Sequence, residues 1–142
     1  MIEKLDILFE KLHDITGIHD IAYHEIKGNS LNPIYKTGTP HLSIDKWKKL
    51  HSENKVYVDS DSVLPSIVYD KKVLIMSDVK NDSNASNAFS LFGIDSILVF
   101  PIVNSNVTIG IIVLASIGKK HIFSKDQVEK CALLVNNFIN TL

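Results

Sequence analysis

Apolar residues recur at steps of three and four along the first turns of the chain, at Ile2, Leu5, Leu8, Phe9, Leu12 and Ile15. This spacing lays one apolar stripe on a helix over 2–16, and Gly17 suits the left-handed position just past its end. Ile18, Ile21, Tyr23 and Ile26 then stand among polar residues and predict a strand, stopped by the turn Lys27-Gly28-Asn29. Ser30 to Lys36 predicts a second, weaker strand, broken by Thr37-Gly38-Thr39-Pro40. Helical spacing returns over 43–54 through Ile44, Trp47, Leu50 and His51, followed by a short extended piece at Val56-Tyr57-Val58.

Asp61 and Ser62 are N-cap residues for a short helix through Ile67-Val68-Tyr69, with Pro65 tolerated in its first turn. Val73-Leu74-Ile75-Met76 predicts a strand, 85–92 a short helix carrying Phe89, Leu91 and Phe92, and Gly93 its end. Ser96–Val103 and Val107–Ile117 are apolar on both faces and joined by Asn104-Ser105-Asn106, so they form a hairpin central in a sheet covered on both sides. Ser124-Lys125-Asp126-Gln127 matches a capping box, with Phe123 and Val128 as its hydrophobic staple. The last helix carries Val128, Cys131, Leu134, Val135, Phe138 and Leu142 on a broad apolar face. The order α β β α α β α β β α predicts an α+β fold with a mostly antiparallel sheet and helices on both faces.

Composition narrows this picture. A chain of 142 residues, 45% apolar and 22% charged, is one globular domain spanning 1–142 and needs no disulfide or metal to fold. All 15 basic residues are lysine, against 16 acidic groups. Without the bidentate guanidinium fork, and with no strongly basic segment, nucleic acid is a poor partner. The longest apolar stretch, Val107 to Ile117, falls well short of the roughly 20 residues of a membrane-spanning helix. The N-terminus has no signal-peptide core, so the cytoplasm is the default location. Cys131 is the one cysteine, which excludes an internal disulfide and a two-cysteine redox couple.

Small motifs in the second half, taken in order, resemble a GAF domain. They are the strand Val73-Leu74-Ile75-Met76 running into Ser77-Asp78-Val79, then Gly93-Ile94-Asp95-Ser96 leading through an apolar strand to Pro101-Ile102. Ile109-Gly110-Ile111-Ile112-Val113-Leu114 and the helix start Phe123-Ser124-Lys125-Asp126 follow. The match is close over 73–142 and topological over 1–72. The resemblance implies a central antiparallel sheet of five to six strands, the first and last helices packed together on one face, and a small-molecule pocket under the short helices and loops of the other. It also implies a cytoplasmic sensory module, often a homodimer through its terminal helices, that controls a sensor kinase or another output domain. Whether the chain is a whole protein or the front of a longer sensor stays open.

Some GAF proteins reduce free methionine sulfoxide with several pocket cysteines; Cys131, alone on the apolar face of the last helix, reads instead as a small buried hydrophobe. Bilin attachment needs a Cys-His pair that the chain lacks. The six histidines, at 13, 19, 24, 41, 51 and 121, show no zinc-site spacing and read as solvated or core-edge groups, with His41 and His51 flanking the helix that lines the expected pocket. Gly110, inside a strand, reads as permitting close approach of a helix. No catalytic set, metal or cofactor is expected.

The expected ligand-binding residues are Trp47 as aromatic lining, Leu64, Ser66, Ile67 and Val68 around a short helix start, Asp78, Phe92, Ser96 and Ile97. Asp78 either caps the polar turn Lys80–Asn84 or accepts a hydrogen bond from a ligand. The amides of Leu64 and Ser66 either hold an anion at the helix start or are capped by Asp61 or Ser62. Small GAF nitrate receptors hold an anion with amides under an aromatic lid, and the chain resembles them in length. A small polar ligand, an anion or a metabolite, is therefore expected, with nitrate or a small carboxylate as the guess at its identity and a ligand-free dimerisation module as the alternative. Ile7, Leu133 and Ile139 are spare apolar residues for a second subunit.

Overall fold

A computed structural model describes all residues, 1–142. Five strands form one antiparallel sheet in the order β2-β1-β5-β4-β3. They are β1 (Asp20–Lys27), β2 (Ser30–Lys36), β3 (Leu74–Met76), β4 (Ile94–Asn104) and β5 (Val107–Ile117). The helices are α1 (Ile2–Thr16), α2 (Ile44–Glu53), α3 (Leu64–Val68), α4 (Asn87–Leu91) and α5 (Lys125–Ile139), with a 3₁₀ turn at Val79–Asn81. The α+β class, the antiparallel sheet and the helices on both faces match expectation, with five strands. No helix is long and apolar enough to cross a membrane.

Local chemistry accounts for the element ends. Gly17 sits at φ 74° and its N–H donates to the His13 carbonyl, closing α1. Ser124 Oγ accepts from the Gln127 N–H while the Gln127 side chain accepts from the Ser124 N–H, so both halves of the capping box start α5. Ser105 and Asn106 take positive φ in the two-residue turn between β4 and β5.

Alternation along the central strands builds two cores. Ile21, Tyr23, Leu98, Phe100, Ile112 and Leu114 point to one face, under α1 and α5, where they meet Leu5, Leu12, Cys131 and Val135. Ile97, Val99, Ile111 and Ala115 point to the other, against Leu64 and Ile67 of α3 and Val58 and Val63 before it. Ala22, Leu42 and Trp47 close the second face at the β1 side.

Gly110 corrects the expectation of a close helix. A Cβ there would lie 2.6 Å from Tyr23 Cε1 and 2.7 Å from the His24 carbonyl oxygen, so the group it admits is the neighbouring strand β1. Gly110→Ala is expected to cost about 1–3 kcal/mol by overpacking, since the His24 backbone cannot withdraw without breaking the ladder. Urea unfolding checks this, and an unchanged midpoint would refute the close contact.

Candidate functional site

A cavity of about 80 Å³ lies between the second sheet face and α2–α4. Its floor is Ala22 and His24 of β1, Ile97 and Val99 of β4, and Ile111 and Val113 of β5. Its roof is Trp47 and His51 of α2, Leu64 and Ile67 of α3, and Phe89 and Phe92 of α4. Eighteen of its 24 lining residues are hydrophobic, so the six polar ones decide what it can do.

Four of these polar residues are occupied by one another or by the backbone. At one end, Lys36 is 2% exposed and Asp20 6%. The Lys36 ammonium donates to Asp20 Oδ1 at 3.1 Å, to the Thr37 carbonyl at 2.5 Å and to the Leu42 carbonyl at 2.7 Å. Three acceptors match its three hydrogens. Asp20 also accepts from Thr39 Oγ1 at 2.8 Å and from His41 Nε2 at 2.6 Å. On another wall, Asp61 Oδ2 accepts the Val63 and Leu64 N–H groups, each at 3.0 Å, and Oδ1 accepts the Ser86 hydroxyl. Asp61 thus holds the turn that enters α3, whose N-cap position is Val63, and ties it to the start of α4.

The remaining two are His24 and His51. Their Nε2 atoms are 3.2 Å apart, so one Nε2–H donates to the other nitrogen. Trp47 packs edge-on against both rings, at centroid distances of 5.1 and 5.5 Å, and Phe92 lies 4.9 Å from His51. Burial holds His24 well below the usual histidine range, reinforced by His51, and takes His51 down to about 4. Both are neutral at pH 7. His24 Nδ1 is buried without a hydrogen-bond partner.

Of the residues singled out from sequence, Trp47, Leu64, Ile67, Phe92 and Ile97 come together around this cavity. Ser66 is exposed on α3, and Val68 is buried in the core beside the cavity, its carbonyl accepting from Thr108 Oγ1 at 2.6 Å. Ser96 Oγ donates to the Ser77 carbonyl and accepts from the His121 N–H, which fastens the loop before α5. Asp78 Oδ2 accepts from Asn81 Nδ2 and from Lys120 Nζ, each at 3.0 Å, outside the cavity. Its role there is in the turn it precedes. Cys131 lies in the core on the opposite face of the sheet, its thiol pushed up to about 11 by burial. No group of three or more His, Cys, Asp or Glu side chains converges as a metal site.

Sequence reasoning passed over Asp20, His24 and Lys36. The signal for His24 was present: alternation puts Ala22 and His24 on one face of β1, and Trp47 and His51 share one face of α2 at a four-residue step.

No family model matches the chain, and no curated protein matches it in sequence. Solved structures do. The chain is similar to the GAF domain/HD domain protein of Geobacter sulfurreducens, with TM-score 0.79 and 18% identity over 97% of this chain and 88% of that one. It is similar to the PixJ GAF domain of Thermosynechococcus elongatus in its blue-light absorbing form, with TM-score 0.75 and 8% identity over 98% and 82%. It is also similar to a type II free methionine-R-sulfoxide reductase of Thermoplasma acidophilum, with TM-score 0.69 and 15% identity over 98% and 92%.

Proposed function

We propose, from the GAF fold that these likenesses show, that the chain is a sensory module that binds a small ligand without transforming it. The ligand occupies the cavity under α2–α4, and its presence is felt at α1 and α5. The observation that carries this reading is the apolar cavity on the sheet face opposite the terminal helices. Successive residues of β4 join the two: Ile97 and Val99 floor the cavity, while Leu98 and Phe100 pack in the core beneath α1 and α5. A guest that displaces β4 therefore biases the helix pair, and with it a kinase or other output partner. Cys131 supports binding over thiol chemistry. It is the one cysteine, its thiol is held protonated, and the sheet separates it from the cavity.

Trp47 makes the test direct, because it is the one tryptophan and it lines the cavity. A panel of anions and neutral metabolites is expected to contain at least one compound that raises the melting temperature and shifts Trp47 fluorescence together. A panel flat in both readouts would overturn the reading.

The second reading, a ligand-free interaction module, is favoured by size: 80 Å³ is well below the ~300 Å³ at which ligand clefts usually begin. Both readings include a homodimer through α1 and α5. Ile7 is 57% exposed and Leu133 65%, so both are free to meet a second subunit. Sedimentation is expected to give a dimer for the native chain. The double substitution Ile7→Glu, Leu133→Glu should give a monomer of similar melting temperature; a monomeric native chain would remove the dimer.

A further inference from the structure

We infer that the guest of this cavity is a small uncharged molecule, apolar over most of its surface, that makes one hydrogen bond to the His24–His51 pair. The inference rests on the sensory reading above and names the ligand's chemical class. It departs from the anion that the helix start at Leu64 suggested.

Charge decides first. An ionic guest must leave water and find a counter-charge in an apolar enclosure. Lys36, the one cation lining the cavity, already meets three acceptors, one of them the Asp20 carboxylate. Both Asp61 oxygens are engaged, and they hold the Leu64 N–H that an anion at α3 would need. The two histidines are neutral. Inside the cavity an anion at Lys36 or at the Leu64 N–H would displace an existing partner, the exposed Ser66 of α3 lying outside, and any cation would compete with Lys36 for Asp20.

Polarity decides second. His24 is 4% exposed and lines the cavity, and its Nδ1 has no partner. This holds for either arrangement of the shared proton. If His24 donates from Nε2, Nδ1 is an acceptor with no donor; if His24 accepts at Nε2, Nδ1 carries a hydrogen with no acceptor. Folding leaves such a group unpaired only at a cost, which a guest with one polar edge removes.

Size decides third. A dry cavity of about 150 Å³ accepts benzene. A space of 80 Å³ suits a body no larger than a small five-membered ring.

Pyrazole is the matching probe: it is uncharged at neutral pH, has five ring atoms, and offers a donor beside an acceptor, so it serves either tautomer. Thiophene is its apolar counterpart, and nitrate and acetate are the anionic ones. In titrations followed by Trp47 fluorescence, pyrazole is expected to bind the native chain at least tenfold more tightly than thiophene. His24→Phe, which keeps a ring and removes both nitrogens, is expected to bring that ratio near one. Imidazole ¹⁵N resonances of the native chain supply a readout independent of whether the variant folds: the His24 Nδ1 signal should move on adding pyrazole and stay still with thiophene. The inference is overturned if thiophene binds as tightly as pyrazole, if the His24 signal is indifferent to pyrazole, or if nitrate or acetate binds more tightly than either. If these probes fail while a larger compound from the metabolite panel binds, this inference falls and the sensory reading stands. If both sets fail, both fall.

Discussion

Asp20→Ala is expected to destabilise the fold by about 3–5 kcal/mol, because it removes the one counter-charge of a buried lysine. Lys36 and Asp20 are almost wholly withdrawn from water, and Thr39 and His41 also converge on the Asp20 carboxylate. With alanine there, the ammonium keeps two carbonyls and no anion, and the loop carrying Thr39 and His41 loses its anchor. Burial already holds the Lys36 pKa below its ordinary value against the opposing pull of Asp20. The double variant Asp20→Ala, Lys36→Met should be more stable than Asp20→Ala alone, since deleting both charges avoids leaving one unpaired. Urea unfolding of the two single variants and the double closes the cycle. Additive costs would show that the pair is not coupled, and would return Lys36 to the set of groups free to meet an anionic guest.

The clamp also marks where sequence stops being informative. The helices over 2–16 and 125–142 were legible from one helical period, the last stopping at Ile139, and the hairpin over 96–117 from two runs apolar on both faces joined by a polar turn. Gly17, Ser105-Asn106 and the Ser124–Gln127 box are local chemistry, readable without the rest of the fold. The side on which Lys36 lies was not. Strict alternation from Leu31 would place an even-numbered residue of β2 on the opposite face. The ladder instead runs His24↔Pro33 and then Tyr23↔Tyr35, leaving Ile34 as an extra residue. That bulge shifts the parity, so Leu31 and Lys36 both line the cavity. Pro33 marks 30–36 as an edge strand or a bulged one, but does not say which residue is the extra one. Asp78 shows the converse: its motif was visible, but its partners, Asn81 beside it and Lys120 far along the chain, give it a place at the rim of the sheet. The candidate site was legible as a set of apolar lining residues on predicted elements. Its polar groups were not, because each depends on a pairing between distant segments.

The histidine pair makes the second large effect a matter of pH. A histidine that is neutral when buried binds fewer protons in the folded state than in the unfolded one, so stability is present above the unfolded value of 6.5 and is lost as pH falls through the folded value. For His51 that folded value is about 4, a difference worth about 3 kcal/mol at ~1.4 kcal/mol per tenfold change. His24 shifts in the same direction, and the two share one hydrogen bond, so the pair takes up its first proton as a unit. The other charged groups lining the cavity are Asp20, Lys36 and Asp61, all committed to partners of their own. Stability is therefore expected to decline from near pH 6.5 down to pH 4. The carboxylates of Asp78 and Asp95 act in a separate window. Asn81 and then Lys120 hold Asp78 below 3.8, and Lys80 holds Asp95 there, so their contributions persist through the histidine window and fade only in stronger acid. His51→Leu should lessen the decline between pH 6.5 and 4, leaving the part that belongs to buried His24 and the steeper loss at lower pH in place. Denaturant unfolding across this range measures both limbs. An acid limb unchanged by His51→Leu would mean that His51 is not buried against His24, and would remove the polar contact on which the choice of an uncharged guest depends.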